Sequence, residues 1–389
     1  MSFDEIIDRR STHSAKWDGM EPIYGVSPDD GLAMWVADMD FKPPQCVLDA
    51  ITSMTEHGVF GYYTDEASYR AAICGWMARR HNWTVDPASI FTVHGLGNGT
   101  ALCTKAFTDP GDAVVLFTPV YHAFAKYIKA AGRTITECKM INTDGHYTMD
   151  FDAYDSVLTG KEKMLILCSP HNPGGRVWTQ EELQGVADFC VKHDLILVSD
   201  EIHHDLVFGD NKHIAMPNAA PEISDRLVMM TAPSKTFNIA GAHTGNVIVQ
   251  DETLRKIFAG TMVASGISAN SFGLHMAEAA YNGGDAWVDE LVAYLTENKR
   301  VFDEGVNAIP GLKSMNLEAT YLAWVDFSGT GMTPAEFTER VQKVAKIAPN
   351  LGSTFGLGGD DFLRFNLGCP RSLIEEAVQR LQDAFSDLQ

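Results

Sequence analysis

Thr231-Ala-Pro-Ser-Lys-Thr-Phe-Asn-Ile-Ala-Gly241 is the stretch from which the fold can be read. An apolar run, Leu227 to Met230, leads into it, and a second, Asn246 to Val249, follows it. Lys235 therefore stands on a loop at the end of a buried strand, among small and hydroxylated residues. Ligands in open α/β sheets gather at strand ends, and a partly desolvated lysine in such a place serves as a Schiff-base nucleophile. A Ser-Lys pair by itself is an ordinary solvated loop, so the rest of the chain has to decide.

Working outward, the same pattern recurs. Ala113 to Phe117 is a buried strand ending in Thr118-Pro-Val-Tyr121. Met164 to Cys168 ends in Ser169-Pro-His-Asn172, and Leu195 to Ser199 ends in Asp200-Glu-Ile-His-His204. Thr134 to Cys138 is a further strand candidate. Helical spacing runs over Cys46–His57 and Tyr69–His81, and Thr179 with Glu182 forms a capping box for a helix to His193. Strands alternating with helices give an α/β fold with a mostly parallel, helix-covered sheet. In such a sheet the strand ends share one edge, so Tyr121, Asn172, Asp200 and Lys235 converge on one crevice. Ile90 to Val93 opens into Gly95-Leu-Gly-Asn-Gly-Thr100 and a helix through Phe107, which reads as a phosphate cradle built of close backbone and helix-terminal amides.

The flanks differ in texture. Residues up to about 30 are polar and punctuated by Pro22, Gly25, Pro28 and Gly31, an extended arm. Met34-Trp-Val-Ala-Asp-Met-Asp-Phe41 is expected as a strand entering a turn at Pro43-Pro44. Past Asp251 come a long helix over 285–307, a strand over 319–326, a capping box at Thr333-Pro-Ala-Glu336 with a helix to Lys346, a strand over 362–368, and a last helix capped by Ser372 with Glu375. This tail is a smaller α+β domain.

The 389 residues suffice for two or three domains. A net charge of −21 argues against nucleic acid and anionic membrane surfaces as partners. Seven cysteines without a C-x-x-C pair, an acidic N-terminus and no long apolar run lead us to expect a cytoplasmic protein without a zinc site. His203, His204 and Asp205 lack a second ligand cluster and are expected to line the crevice or cap the strand end rather than bind metal.

A lysine that forms an imine, a carboxylate that keeps a pyridine nitrogen protonated, a tyrosine that stacks on a ring and an asparagine that bonds a phenolic oxygen, beside an anion cradle, describe a site for pyridoxal 5′-phosphate. Over essentially its whole length the sequence resembles the fold-type I pyridoxal-phosphate enzymes, and within them the MalY/PatB-type cystathionine β-lyases. Trp35-Val-Ala-Asp-Met-Asp-Phe41 is the most distinctive shared motif. Ser169-Pro-His-Asn-Pro-Gly-Gly175, Ser199-Asp-Glu-Ile-His203, Ser234-Lys-Thr-Phe-Asn238 and Arg364-Phe-Asn-Leu-Gly-Cys-Pro-Arg371 complete the set.

The resemblance implies a seven-stranded sheet in a large domain over 41–284, an arm over 1–40 that packs with the small domain, and a small domain over 285–389. It implies that Lys235 holds the cofactor and moves the substrate Cα proton, that Asp200 pairs with the ring nitrogen, that Asn172 bonds the ring oxygen and that Tyr121 stacks on the ring. Gly97, Asn98 and Gly99 supply amides to the phosphate, with Ser234 and His203 also at the cofactor. Tyr62 reaches the neighbouring subunit's phosphate in a homodimer. Arg364 clamps the substrate carboxylate, with Ala37, Asp38 and Asn172 beside it. Two positions depart from the wider pattern: His243 stands where many such enzymes carry a phosphate-binding arginine, and Ala232 where a serine is common. The reaction implied is α,β-elimination from a thioether amino acid. Alternatives are an aminotransferase built from the same site and a regulatory protein that binds a transcription factor.

Overall fold

The computed structural model describes residues 2–388. Its strands are β1 (Leu32–Met34), β2 (Ile90–Val93), β3 (Ala113–Thr118), β4 (Thr134–Lys139), β5 (Glu162–Cys168), β6 (Ile196–Asp200), β7 (Leu227–Thr231), β8 (Gly245–Ile248), β9 (Lys313–Ser314), β10 (Leu322–Asp326), β11 (Ile347–Leu351) and β12 (Phe362–Asn366), with a small surface hairpin over 141–148. The longer helices are α1 (Gln45–His57), α2 (Ala67–His81), α3 (Gly95–Phe107), α4 (His122–Ala130), α5 (Gln180–Lys192), α6 (Glu252–Ala264), α7 (Ser271–Gly283), α8 (Asp285–Asn307) and α9 (Arg371–Ala384).

Seven strands form the large sheet in the order β2-β8-β7-β6-β5-β3-β4. All neighbouring pairs are parallel except the two made by β8. Strands β3 and β7 are buried at every position, as expected where helices cover both faces. The register sets Cys168 beside Asp200 and Asp200 beside Met230. The loops after β3, β5, β6 and β7 therefore leave from one edge.

The small sheet runs β1-β11-β12-β10-β9. Its first strand comes from the N-terminal arm and pairs parallel with β11, Leu32 opposite Ile347. The expected strand over 34–41 stops at Met34. From Trp35 to Phe41 the backbone is an irregular strap, because polar side chains rather than a neighbouring strand take its hydrogen-bonding groups. Asn366 Nδ2 donates to the carbonyls of Val36 (2.5 Å) and Asp38 (2.6 Å). Asn238 donates to those of Met39 (2.8 Å) and Phe41 (2.7 Å), and its Oδ1 accepts from the Met39 amide (2.9 Å). The strap's Asp40 is buried between Lys16 (2.6 Å), Arg9 (2.7 Å) and the Trp17 indole (3.0 Å).

Both expected capping boxes at Thr179 and Thr333 are formed. The helix after Thr333 is shorter than its pattern suggested. It gives way at Arg340 to a single π turn, and Lys346 takes a left-handed conformation. Ser372 and Glu375 form no cap, since α9 begins one residue earlier, after Pro370. Its first amide is satisfied instead by the Tyr294 hydroxyl at 2.7 Å.

Lys16 is fully enclosed, so removing its carboxylate partner leaves a buried cation without a counter-charge. Asp40→Asn is expected to lower the unfolding free energy by about 3 kcal/mol, read from the midpoint of urea denaturation at constant slope.

Candidate functional site

At the shared edge of the large sheet, beside Ala37 of the strap, lies a cavity of about 270 Å³. Tyr121, Asn172, Asp200 and Lys235 all line it, together with Gly97, Asn98, His203, Ser234, Ala37 and His243. Four residues at or just past the ends of four strands thus meet as the strand order demands.

Lys235 sits on the short helical turn Pro233–Thr236, immediately after β7. Its Nζ donates to the Ala37 carbonyl of the strap at 2.5 Å. Burial lowers its ammonium to about 8, and the Arg364 charge works the same way while Asp38 and Asp200 oppose it. Asp200 ends β6 in a buried position and accepts one hydrogen bond, from the Ile202 amide at 3.1 Å. Burial raises its carboxyl to about 7. The site holds an acid and a base whose ordinary charges are both disfavoured by desolvation, a condition that a bound cationic ring or an imine would relieve.

At the cradle, the glycines lie inside the first turns of α3 rather than in a loop before it. The leading amides of a helix have no partner within it and attract anions. Gly97 is a real requirement, since a Cβ there would meet the Tyr127 hydroxyl at 2.5 Å. Gly99 does something else. It faces Val247 and Met230 and lets α3 lie close on the sheet, away from the cavity. Asn98 accepts from the His94 amide at 3.2 Å.

On the small-domain side, Arg364 enters from β12 and is buried. It donates to Asn172 Oδ1 (2.9 Å), to the Trp35 carbonyl (2.9 Å) and to Asn350, and stands over the Phe355 ring at 5.1 Å. Its Nε has no partner, nor does His203 Nδ1. Burial brings the guanidinium down to about 10. Through Asn172, which lines the cavity, this cation is coupled to the site although it does not itself line it.

Asp38, expected beside Arg364, is placed differently. It turns its carboxylate away to a two-pronged contact with Arg9, 2.9 Å on each oxygen, so the strap offers a ligand the Ala37 backbone rather than this side chain. Tyr62 does not reach the cavity of its own chain. It is fully exposed, on a loop beside Phe60, Tyr63 and His275. Residues that pattern reading missed are Tyr321, whose hydroxyl donates to the Ala37 carbonyl at 2.8 Å, and Asn350, Asn366 and Asn238, which hold Arg364 and the strap. Asn238 and Asn366 lie within quoted motifs, but single asparagines carry no signal of what they hold. His81, His204 and Asp205 cluster beneath the site, as do Glu201, His204 and His213.

Comparison with known proteins agrees with this geometry. A family profile, aminotransferase class I and II, matches residues 30–381. Cystathionine β-lyase PatB of Bacillus subtilis is 38% identical over 389 residues, covering 99% of this chain and all of that protein. Protein MalY of Escherichia coli is 32% identical, covering 98% of each. The crystal structure of cystalysin from Treponema denticola, which contains a pyridoxal 5′-phosphate cofactor, superposes with a TM-score of 0.95 at 34% identity, covering 100% of this chain and 99% of that one.

In protein free of ligand, Asp200→Asn should raise stability at both pH 5 and pH 8, and by more at pH 8, the gain growing by about 1.4 kcal/mol for each pH unit between 5 and 7. A carboxyl whose folded pKa is raised binds its proton more tightly in the native state. Native stability therefore falls as pH climbs from about 4 to about 7, by about 1.4 kcal/mol per unit of pKa at most. Paired urea titrations at the two pH values measure the effect.

Proposed function

The chain belongs to the aminotransferase class I and II family, in its MalY/PatB group, and from that premise we propose that it is a pyridoxal 5′-phosphate-dependent carbon–sulfur β-lyase. The reaction converts an S-substituted cysteine such as cystathionine, with water, to pyruvate, ammonia and a thiol. The observation that carries the reading is one cavity lined by Lys235 and by a buried Asp200 that lacks any side-chain partner.

The residues fit the cofactor. Lys235 would hold it covalently through Nζ, Asp200 would face the ring nitrogen, Asn172 the ring oxygen, and Tyr121 the ring. The first amides of α3 at Gly97, with Asn98 and Ser234, would hold the phosphate, and His203 and His243 line the same space. When bound, pyridoxal phosphate accepts the electron pair left at the substrate Cα.

The chain's own residues do the rest. Arg364 binds the substrate α-carboxylate, which fixes the orientation of Cα. Lys235 receives the Cα proton at Nζ. An ordinary lysine would stay protonated at neutral pH, and the lowering to about 8 leaves a usable neutral fraction. The Ala37 carbonyl, 2.5 Å from Nζ, gives the amine a resting partner between turns. Ala37 brings the strap's backbone to the cavity wall.

Tyr62 supports a homodimer with shared sites. Its ring is fully exposed, on the apolar loop Val59–Tyr63, where a second subunit would bury it and bring it to that subunit's phosphate. A cytoplasmic location belongs to the same reading, supported by seven cysteines that are all free thiols.

Purified protein incubated with L-cystathionine should release pyruvate, and Lys235→Ala should abolish both that release and the visible absorbance of the cofactor. No pyruvate, together with glutamate formed from 2-oxoglutarate, would establish the aminotransferase instead. For the shared site, a mixture of Lys235→Ala and Tyr62→Ala subunits should regain about a quarter of wild-type activity, because half of the dimers then carry one intact site. Absence of any recovery on subunit exchange rules the sharing out.

A further inference from the structure

Lys235 is carried on a turn of four residues, and that turn is gripped from two sides. Above it, Asn238 ties the chain to the strap. Below it, the Thr236 hydroxyl donates to Asp205 Oδ2 at 2.7 Å, and Phe237 packs edge-on against Trp76 at 5.1 Å. Asp205 lies outside the cavity and has no part in the chemistry described above.

Its surroundings show what holds it. The carboxylate also accepts from the Trp76 indole at 3.1 and 3.2 Å and contacts His81 Nε2 at 2.7 Å. Trp76 and His81 both belong to α2. His204 Nε2 is 3.2 Å from Oδ2, off the hydrogen-bonding direction, and its ring lies 4.1 Å from that of His81. Behind His204, Glu201 accepts from Ser199 (3.0 Å) and the Met216 amide (3.0 Å) and contacts His213 (2.7 Å). The two triads that share His204 have the spacing of cation ligands. Both oxygens of Asp205 and both of Glu201 are already engaged, while His204 Nε2 has no hydrogen-bond partner.

We propose that Asp205 is a positioning residue for Lys235: it joins α2 to the lysine turn through Thr236 and thereby sets the direction in which Nζ enters the cavity. The geometry separates this role from bulk packing, because the Thr236 hydroxyl is the single side-chain link between that carboxylate and the turn. The hydroxyl fixes the turn's rotation, and the rotation places Nζ against the Ala37 carbonyl. A displacement of an ångström at a reacting atom is enough to cost orders of magnitude in rate. The inference rests on the proposed role of Lys235 in proton transfer.

The test compares Thr236→Val, which keeps shape and loses the hydroxyl, with Thr236→Ser, which keeps the hydroxyl, and adds Asp205→Asn. In ligand-free protein labelled with ¹³C-lysine, the Lys235 signal is the one missing from Lys235→Ala. Its titration midpoint should rise by about one unit toward the ordinary lysine value in Thr236→Val and Asp205→Asn and stay at the wild-type value in Thr236→Ser. In the holoenzyme, kcat should fall about tenfold in the first two with KM changed less than about twofold, and Thr236→Ser should remain near wild type. Unchanged midpoint and kcat in Thr236→Val overturn the proposal. Equal loss in Thr236→Ser overturns it too, since that marks mere packing, and so does stoichiometric zinc uptake that His204→Ala abolishes. If the wild type forms no pyruvate, the lyase reading fails on its own, while the lysine titration still reports on Asp205.

Discussion

The hydrogen bonds made to the strap Trp35–Phe41 are the constraint on which the rest of the molecule depends. A segment buried between two domains must find partners for every amide and carbonyl, and here no strand supplies them. Side chains supply most of them, from three directions, and the Gly368 carbonyl takes the Asp40 amide. Arg364, Asn366 and Tyr321 reach in from the small domain, Lys235 and Asn238 from the large one, and Arg9 and Lys16 from the arm. Each of these bonds adds to the direct contacts between the two sheets' surroundings, such as the Val120 amide on the Phe355 carbonyl and Arg176 on Glu318. The strap is thus a spacer with specified attachment points, and the reactive lysine is one of them.

The cavity that results is electrostatically incomplete. Asp200 is pushed up, Lys235 and Arg364 are pushed down, and burial is the largest cause in all three. Groups in that state do not stabilise the fold they sit in. They are held in readiness by packing around them, in continuous apolar strands and a well-covered sheet. The stability of the frame is what allows the site to be strained in charge, and a ligand that brings a cation to Asp200 and an anion to Arg364 and α3 satisfies all three at once.

Much of this was legible in the sequence, and the exceptions share a cause. The strand ends could be placed because parallel strands buried on both faces read as unbroken apolar runs, and their order then forces Tyr121, Asn172, Asp200 and Lys235 together. The strap could not be, since Met34–Phe41 has the alternation of a strand and only tertiary partners make it irregular. Asp38 looked like a ligand-facing carboxylate until Arg9, twenty-nine positions earlier, claimed it. Gly99 shares a motif with Gly97 but faces the sheet, a difference set by helix rotation rather than composition. Ser372 and Glu375 have capping spacing, yet Tyr294 from another helix does the capping. Tyr62 belongs to a question that a single chain does not contain.

The pairing of β1 with β11 has a consequence in time as well as space. Leu32 emerges from the ribosome early, and its partner Ile347 almost last. The large sheet needs nothing beyond Ile248 to close, whereas the small sheet needs both ends of the chain. The arm and strap must therefore wait, with their apolar face unpaired, while the large domain forms beside them. Non-local pairing of this kind is slow to form, so the small sheet is expected to close after the large one.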